Sequence, residues 1–313
     1  MSPLGSATLN GSATANGSAG AHATRDPFAR ASAQPPGRPR LLSYVGRWGR
    51  ARRWLTADAL RVLDIGCAFG FGSAAILAKG PSARVIVGVE RDPKLLARAR
   101  RQFPWLAMID ADAGELPVAD SSADAVLLLD VIEHVAAPER VLEEARRVLR
   151  PGGTLIVSVP HSGPTQVLDG VNVYAALRRR RPSWPALEGV VGTEEDEHRH
   201  FSAEELRRLL EPEFTVDRVA RTGVGLQELV TLTILALQVP LRAPRAARVL
   251  MPLHLLAYIV DDMLPTGRFA YHLAMRAYSN KPGGTMSEAQ DDEESSARTP
   301  ASGSADAVER NQL

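Results

Sequence analysis

The segment Val62-Leu63-Asp64-Ile65-Gly66-Cys67-Ala68-Phe69-Gly70-Phe71-Gly72 constrains the fold more than any other part of the chain. An apolar run climbs to an acid, breaks into alternate small residues and passes into the Ala-rich stretch Ser73 to Ala78. That order describes a buried strand, a tight turn and the first turns of a helix. Small residues in the turn let a ligand approach the backbone, and the helix start presents free N–H groups. The spacing is Gly66-x-Ala68-x-Gly70, with Asp64 two residues before it. It is not the G-x-G-x-x-G of dinucleotide-binding turns.

Downstream, strands and helices alternate. Arg84 to Glu90 reads as a second buried strand ending on an acid. Asp92-Pro93 opens a helix, with Asp as cap and Pro at the first helical position, and Leu95, Leu96 and Ala99 supply its inward face. Leu106 to Ile109 is a short third strand, followed by Asp110-Ala111-Asp112-Ala113. Ala125 to Leu129 is wholly apolar, as a central strand of a parallel sheet should be. Asp130-Val131-Ile132-Glu133-His134-Val135 follows, then a helix from Pro138 to Arg150. Pro151-Gly152-Gly153 is expected to stop that helix before a fifth strand, Thr154 to Val159. Phe214 to Val219 and Tyr271 to Ser279 are the sixth and last strands. The expected fold class is α/β, a Rossmann-like, doubly wound, seven-stranded and mostly parallel sheet with a helical cap or insertion.

Residues 1–40 are rich in Ser, Ala, Gly, Asn and Pro, and residues 282–313 carry an acidic block at Asp291 to Glu294. Neither has a periodic apolar pattern that could offset the entropy of ordering, so both are expected to be disordered tails. Between them, 41–281 reads as one domain: an amphipathic helix from Leu41, a core at about 60–160, a cap at about 161–212 and an apolar insertion at about 225–264. In the cap, Tyr174 to Arg181 is a short helix ending in four arginines, and Ser202-Ala203-Glu204-Glu205 is a capping box. The insertion holds two runs, Leu229 to Leu241 and Val249 to Val260, around Arg242, Arg245 and Arg248. Each run is shorter than the roughly 20 residues that span a bilayer. An interfacial hairpin with its arginines among headgroups fits, as does a cap buried on the enzyme or on a second subunit.

Net charge is +1, from 37 basic against 36 acidic residues, so nothing in the charge balance points to nucleic acid. The single cysteine, Cys67, excludes an internal disulfide and fits a reducing, cytoplasmic setting, with the inner face of a membrane as the place where the insertion would act. The N-terminus lacks the apolar core of a signal peptide. Cys67 reads as a small packing residue, since no histidine is paired with it in sequence.

Taken together, D-I-G-C-A-F-G-F-G, V-G-V-E, D-A-D-A and L-R-P-G-G-T-L-I-V-S resemble the class I S-adenosylmethionine-dependent methyltransferases, in the ubiquinone and menaquinone methyltransferase branch with its type 11 domain. The resemblance covers about Leu60 to Pro160 and weakens through Phe201. It implies S-adenosylmethionine as cofactor. Gly66 and Gly70 would face its methionine part and Asp64 its ammonium. Glu90 would accept from the ribose hydroxyls, Asp112 from the adenine amino group, and the Ala113 backbone would donate to the ring. Asp130 would line the methyl side. Ala68 stands where the family has its middle glycine; with a negative φ it would fit the turn, and cofactor binding is expected to survive.

Methyl transfer from a sulfonium needs donor and acceptor held in line, and a base only when the acceptor is itself an acid such as a hydroxyl. His161, directly after the fifth strand, is the first choice for that base, with His134, His198 and His200 as further candidates. Asp130, Glu133 and His134 could imitate the metal cluster of quinone-type O-methyltransferases, but a packing role for His134 is preferred and no metal is expected. The reading is a methyltransferase for a lipophilic or lipid-linked small molecule, with O- favoured over C-methylation. Its rivals are a non-catalytic, membrane-associated binding protein on the same fold and a nicotinamide-dependent oxidoreductase, whose glycine spacing the chain lacks.

Overall fold

The computed structural model describes residues 26–31, 46–78, 81, 83–184 and 198–282. Its centre is a seven-stranded sheet in the order β3-β2-β1-β4-β5-β7-β6. The strands are β1 (Arg61–Ile65), β2 (Val85–Glu90), β3 (Ala107–Asp110), β4 (Ala123–Leu129), β5 (Leu149–Pro160), β6 (Phe214–Thr222) and β7 (His272–Ser279). The first five pair in parallel, while β7 inserts antiparallel between β5 and β6. The order of strand succession reverses between β1 and β4, β2 and β3 following on one side and β5 on the other, which makes this the switch point where open sheets of this kind bind ligands.

Both sheet faces are covered, and the alternation of side chains along each strand decides what lies where. Leu63, Val87, Val126 and Val157 pack with α4 (Pro138–Val148) and α6 (Ala203–Leu210). Their neighbours Val62, Ile86, Leu127 and Ile156 pack on the opposite face with Ala51 of α1 (Gly46–Trp54) and Ile76 of α2 (Phe71–Leu77). The connection from β2 to β3 is α3 (Pro93–Gln102), whose cap Asp92 accepts from the Lys94 and Leu95 amides. The capping box forms in full, with Ser202 and Glu205 satisfying each other's backbone N–H.

Three local readings change. Pro151-Gly152-Gly153 does not separate helix from strand. Leu149 already pairs with Ala123, and the next pair is Thr154 with Ala125, so residues 150–153 bulge out within one twelve-residue strand. Residues 26–31, inside the segment expected to be disordered, include a short 3-10 helix, Pro27–Arg30, capped by Asp26. Phe28 is buried there, which supplies the apolar anchor that composition alone did not reveal. The helix expected from Leu41 begins at Gly46 among the described residues. The remaining parts of both tails, and Glu194 to Glu197, lie outside the described residues.

The apolar insertion connects β6 to β7 as three helices, α7 (Leu226–Gln238), α8 (Pro244–Val249) and α9 (Met251–Met263). Asp261 of α9 is buried and accepts from the Val224 and Gln227 amides, which fixes the start of α7. α7 also packs on α5 (Gly170–Arg180), and α9 packs on α1. No helix among the described residues is long and apolar enough to cross a membrane.

Candidate functional site

The turn after β1 is built from left-handed backbone. Gly66 has φ 70° and Gly70 has φ 75°. A Cβ on Gly66 would lie 2.5 Å from Val131 Cγ2, and one on Gly70 would lie 2.4 Å from Met108 Cε. Glycine is therefore required twice over, by dihedral and by space. Ala68 also takes a left-handed conformation, with φ 49°, which corrects the expected negative value. Its amide donates to Glu90 Oε2 at 2.9 Å, and that bond holds the strained residue in place. Glu90 Oε1 accepts from the Asp92 amide at 2.8 Å, so one carboxylate ties the turn to the end of β2.

Asp64 sits beneath this turn. It is 4% exposed, and its hydrogen bond is from Ser73 Oγ at 2.5 Å. Burial pushes its carboxyl up to about 6. Ser73 and the Arg47 charge offset only part of that burial, and such a carboxylate is suited to a cationic ligand group. Cys67 is buried as well, and burial raises its thiol above the ordinary value, as suits a packing residue.

Asp112 lies farther along the edge, after β3. Its Oδ1 accepts from the Gly114 amide at 2.8 Å and its Oδ2 lies 3.3 Å from Arg91. Ala113 is half-buried in the same turn. Asp130 closes β4 with φ 58°. It accepts from Ser158 Oγ at 2.7 Å and from the Arg47 guanidinium of α1. Burial opposes its charge, but Arg47, His272 and Ser158 outweigh burial and hold its carboxyl below the ordinary value. Glu133 shows the reverse. It is buried, neither oxygen has a hydrogen-bond partner among the described residues, and burial together with the Asp130 charge pushes it well above its ordinary value.

A second polar centre gathers beside this edge around Asp169, a residue the sequence reading did not single out. Asp169 is fully buried and caps α5 through Oδ1, which accepts from the Val171 and Asn172 amides at 2.9 and 3.0 Å. Its Oδ2 lies 2.8 Å from His198 Nδ1 and 3.2 Å from His200 Nε2. Burial works against its charge, but the two histidines hold its carboxyl below the ordinary range. Burial likewise works against His198, yet Asp169 raises it above its ordinary value. The His134 ring stands edge-on to His198 with 4.8 Å between centroids. Glu228 of α7 accepts from the Gly170 amide at 3.0 Å, and burial pushes it up to about 7.

Thus Asp64, Gly66, Ala68, Gly70 and Glu90 converge at the ends of β1 and β2, with Asp130 across the switch point and Asp112 beyond β2. His134 and His200 meet through His198 and Asp169. His161 stands apart: it is buried, its Nδ1 lies 3.2 Å from the Ala270 carbonyl, and burial lowers its basicity. Asp169-Gly170 carried a legible signal as a helix cap, whereas Arg47 was one of several arginines on its helix. Among the described residues no group of three or more His, Cys, Asp or Glu is arranged to hold a metal ion.

An apolar groove lies between α5, the helix that Asp169 caps, and α7, lined by Val173, Tyr174, Leu177, Trp184, Leu232 and Leu235. A smaller cleft, lined by Arg47, Ser158, Tyr258 and His272, leads down to Asp130.

Comparison with known proteins places these elements. Residues 63–157 match the family described as Methyltransferase domain. The chain is 37% identical over 100 residues to a probable S-adenosylmethionine-dependent methyltransferase from Mycobacterium tuberculosis, a match covering 32% of this chain and 35% of that protein. It is 36% identical over 148 residues to demethylmenaquinone methyltransferase from Beutenbergia cavernae, covering 44% and 60%. The matches thus span less than two thirds of either relative. Among solved structures, an S-adenosylmethionine-dependent methyltransferase from Thermotoga maritima aligns at 22% identity over 75% of this chain and 93% of that one, with a TM-score of 0.45. The segment that matches the methyltransferase-domain family builds the turn, the strand-end acids and the β4 loop, within a Rossmann-like seven-stranded sheet.

Proposed function

We propose that the chain is an S-adenosylmethionine-dependent methyltransferase whose acceptor is a lipophilic or lipid-linked small molecule. The observation that carries this reading is the left-handed turn Gly66–Gly70, closed onto Glu90 above the buried Asp64, inside the matched segment. These residues fit the cofactor. Asp64 supplies a charge for the ammonium. Each Glu90 oxygen already accepts one backbone N–H and keeps a second lone pair for a ribose hydroxyl. Asp112 and the Ala113 backbone take the adenine edge, and Asp130, fixed by Arg47 and Ser158, shapes the methyl side. When bound, the cofactor supplies a methyl group on a sulfonium, with a neutral thioether as leaving group. The chain's part is to hold the acceptor in line and exclude water.

O-methylation is favoured over C-methylation, and the base is assigned to the His198–Asp169 pair rather than to His161. Asp169 orients the ring through Nδ1 and raises its basicity, so Nε2 can take a hydroxyl proton. Burial makes His161 less basic than an ordinary histidine. His134 and His200 position this pair. The lipophilic acceptor is supported by the apolar groove between α5 and α7 and by the relative named for demethylmenaquinone. Such an acceptor places the enzyme at the periphery of a membrane. The test is incubation with methyl-labelled cofactor and a total lipid extract. A labelled product in the organic phase, carrying a new methoxy group, is expected; label confined to water-soluble products or protein would overturn the acceptor class.

A further inference from the structure

We infer that the outward face of α8 and α9 docks on the surface of an anionic phospholipid bilayer. A helix on a protein surface normally turns its polar residues outward. α9 inverts that rule. Its inward stripe carries Ala257 and the buried Asp261, together with half-buried His254 and Tyr258. Its outward side carries Leu253, Leu256 and Met263, the last two 55% and 69% exposed. Val249, at the end of α8, extends the same apolar surface at 76% exposure. Exposed apolar groups of this number on contiguous helices mark an interaction site.

Charge complementarity selects the occupant. From Leu229 to Val260 the sequence contains Arg242, Arg245 and Arg248 and no aspartate or glutamate. All three arginines are exposed, at or beside α8. Apolar side chains edged by arginine suit an interface of anionic headgroups over acyl chains, and the two acids of α9, Asp261 and Asp262, lie at its C-terminal end. The same face of a second copy would bring three arginines against three arginines, which disfavours a symmetric dimer there. The inner side of α9 points to a purpose. Tyr258 lines the cleft with Arg47, Ser158 and His272, so one helix separates the bilayer from the side chains that hold Asp130 on the proposed methyl side. That purpose rests on the methyltransferase reading; the docking surface itself does not.

The test uses the full chain, sedimented with vesicles of phosphatidylcholine alone or with about 30% phosphatidylglycerol. At low salt, partitioning onto the anionic vesicles should be at least about tenfold stronger and should weaken as salt is raised. Replacing Arg242, Arg245 and Arg248 together by glutamate should reduce anionic binding on the order of 100-fold. Leu256→Ser with Met263→Ser should reduce it about tenfold while leaving far-UV circular dichroism unchanged. Equal partitioning onto both vesicles, no partitioning, or full binding by the arginine-reversed chain would overturn the inference. So would a stable dimer in sedimentation velocity that the Leu256→Ser, Met263→Ser chain no longer forms. Calorimetry with S-adenosylmethionine on the same preparations keeps the two readings apart. Vesicle binding without cofactor binding supports the surface and sinks the enzyme; cofactor binding without vesicle binding does the reverse.

Discussion

Cofactor affinity should fall as pH drops from 7 to 5, and Asp64 should be the cause. In the free protein its carboxyl is pushed up to about 6 by burial, against one hydrogen bond from Ser73. An ammonium group beside it would return it to the ordinary carboxylate value near ~4. The free protein then binds more protons than the complex, so acid favours the free form and weakens binding. A shift of about two units sets a ceiling of ~100-fold, or ~2.7 kcal/mol. Between pH 7 and 5 the expected loss is about tenfold, and at pH 5 binding should release about 0.8 proton. Isothermal calorimetry with S-adenosylmethionine in two buffers of different ionisation enthalpy measures both quantities. Asp64→Asn should bind with an affinity that stays flat over the same range. A wild-type affinity that does not change between pH 7 and 5, or an Asp64→Asn variant that keeps the full dependence, would refute the assignment of the ammonium to Asp64.

Three further outcomes follow from the same geometry. Glu90→Ala should weaken S-adenosylmethionine binding by roughly ~1.5–3 kcal/mol, about 10- to 150-fold by calorimetry, because it removes a charged acceptor; an unchanged affinity would remove the ribose role. Ala68→Gly relieves a left-handed alanine, worth about 1 kcal/mol, against a similar entropic gain of the unfolded chain. Urea unfolding should therefore show a change between zero and about +1 kcal/mol, with cofactor binding kept, and a clear destabilisation would contradict the strain. Glu133 has its folded-state pKa raised, so its contribution to stability is present in acid and is lost as pH rises through that value. Glu133→Gln should accordingly be more stable than wild type at neutral pH, by a margin that widens with pH in thermal melts; a narrowing margin would show the carboxyl to be charged and compensated.

The parts of the fold legible in sequence were those encoded by local periodicity and capping. The buried strands read as Leu60 to Ile65, Arg84 to Glu90 and Ala125 to Leu129 fall within one or two residues of their observed ends. Asp92-Pro93 and Ser202 to Glu205 state their helix starts chemically, through side chains that bond within three residues. What stayed hidden depends on distant pairing. The bulge at residues 150–153 exists because Leu149 finds Ala123 across the sheet. The antiparallel entry of β7 between β5 and β6 is a choice of neighbour, which strand composition does not record.

The site divides along the same line. Asp64, Gly66, Gly70 and Glu90 are legible because one turn and the next strand end place them. Asp169 joins His198 and His200 across about 30 residues of chain, part of which lies outside the described structure. Arg47 reaches Asp130 from a helix separated from it by 83 positions. His161 follows β5 directly, and its Nδ1 lies against the Ala270 carbonyl beside β7. Its backbone position was readable; the direction of its side chain depended on where β7 inserts.

The central claim is that the turn from Gly66 to Gly70 receives S-adenosylmethionine. Calorimetric titration of the full chain with S-adenosylmethionine, its demethylated product and NAD tests it most directly. Saturable heat at one site per chain is predicted for the first two and none for NAD. Binding of NAD with no heat from S-adenosylmethionine would contradict the claim.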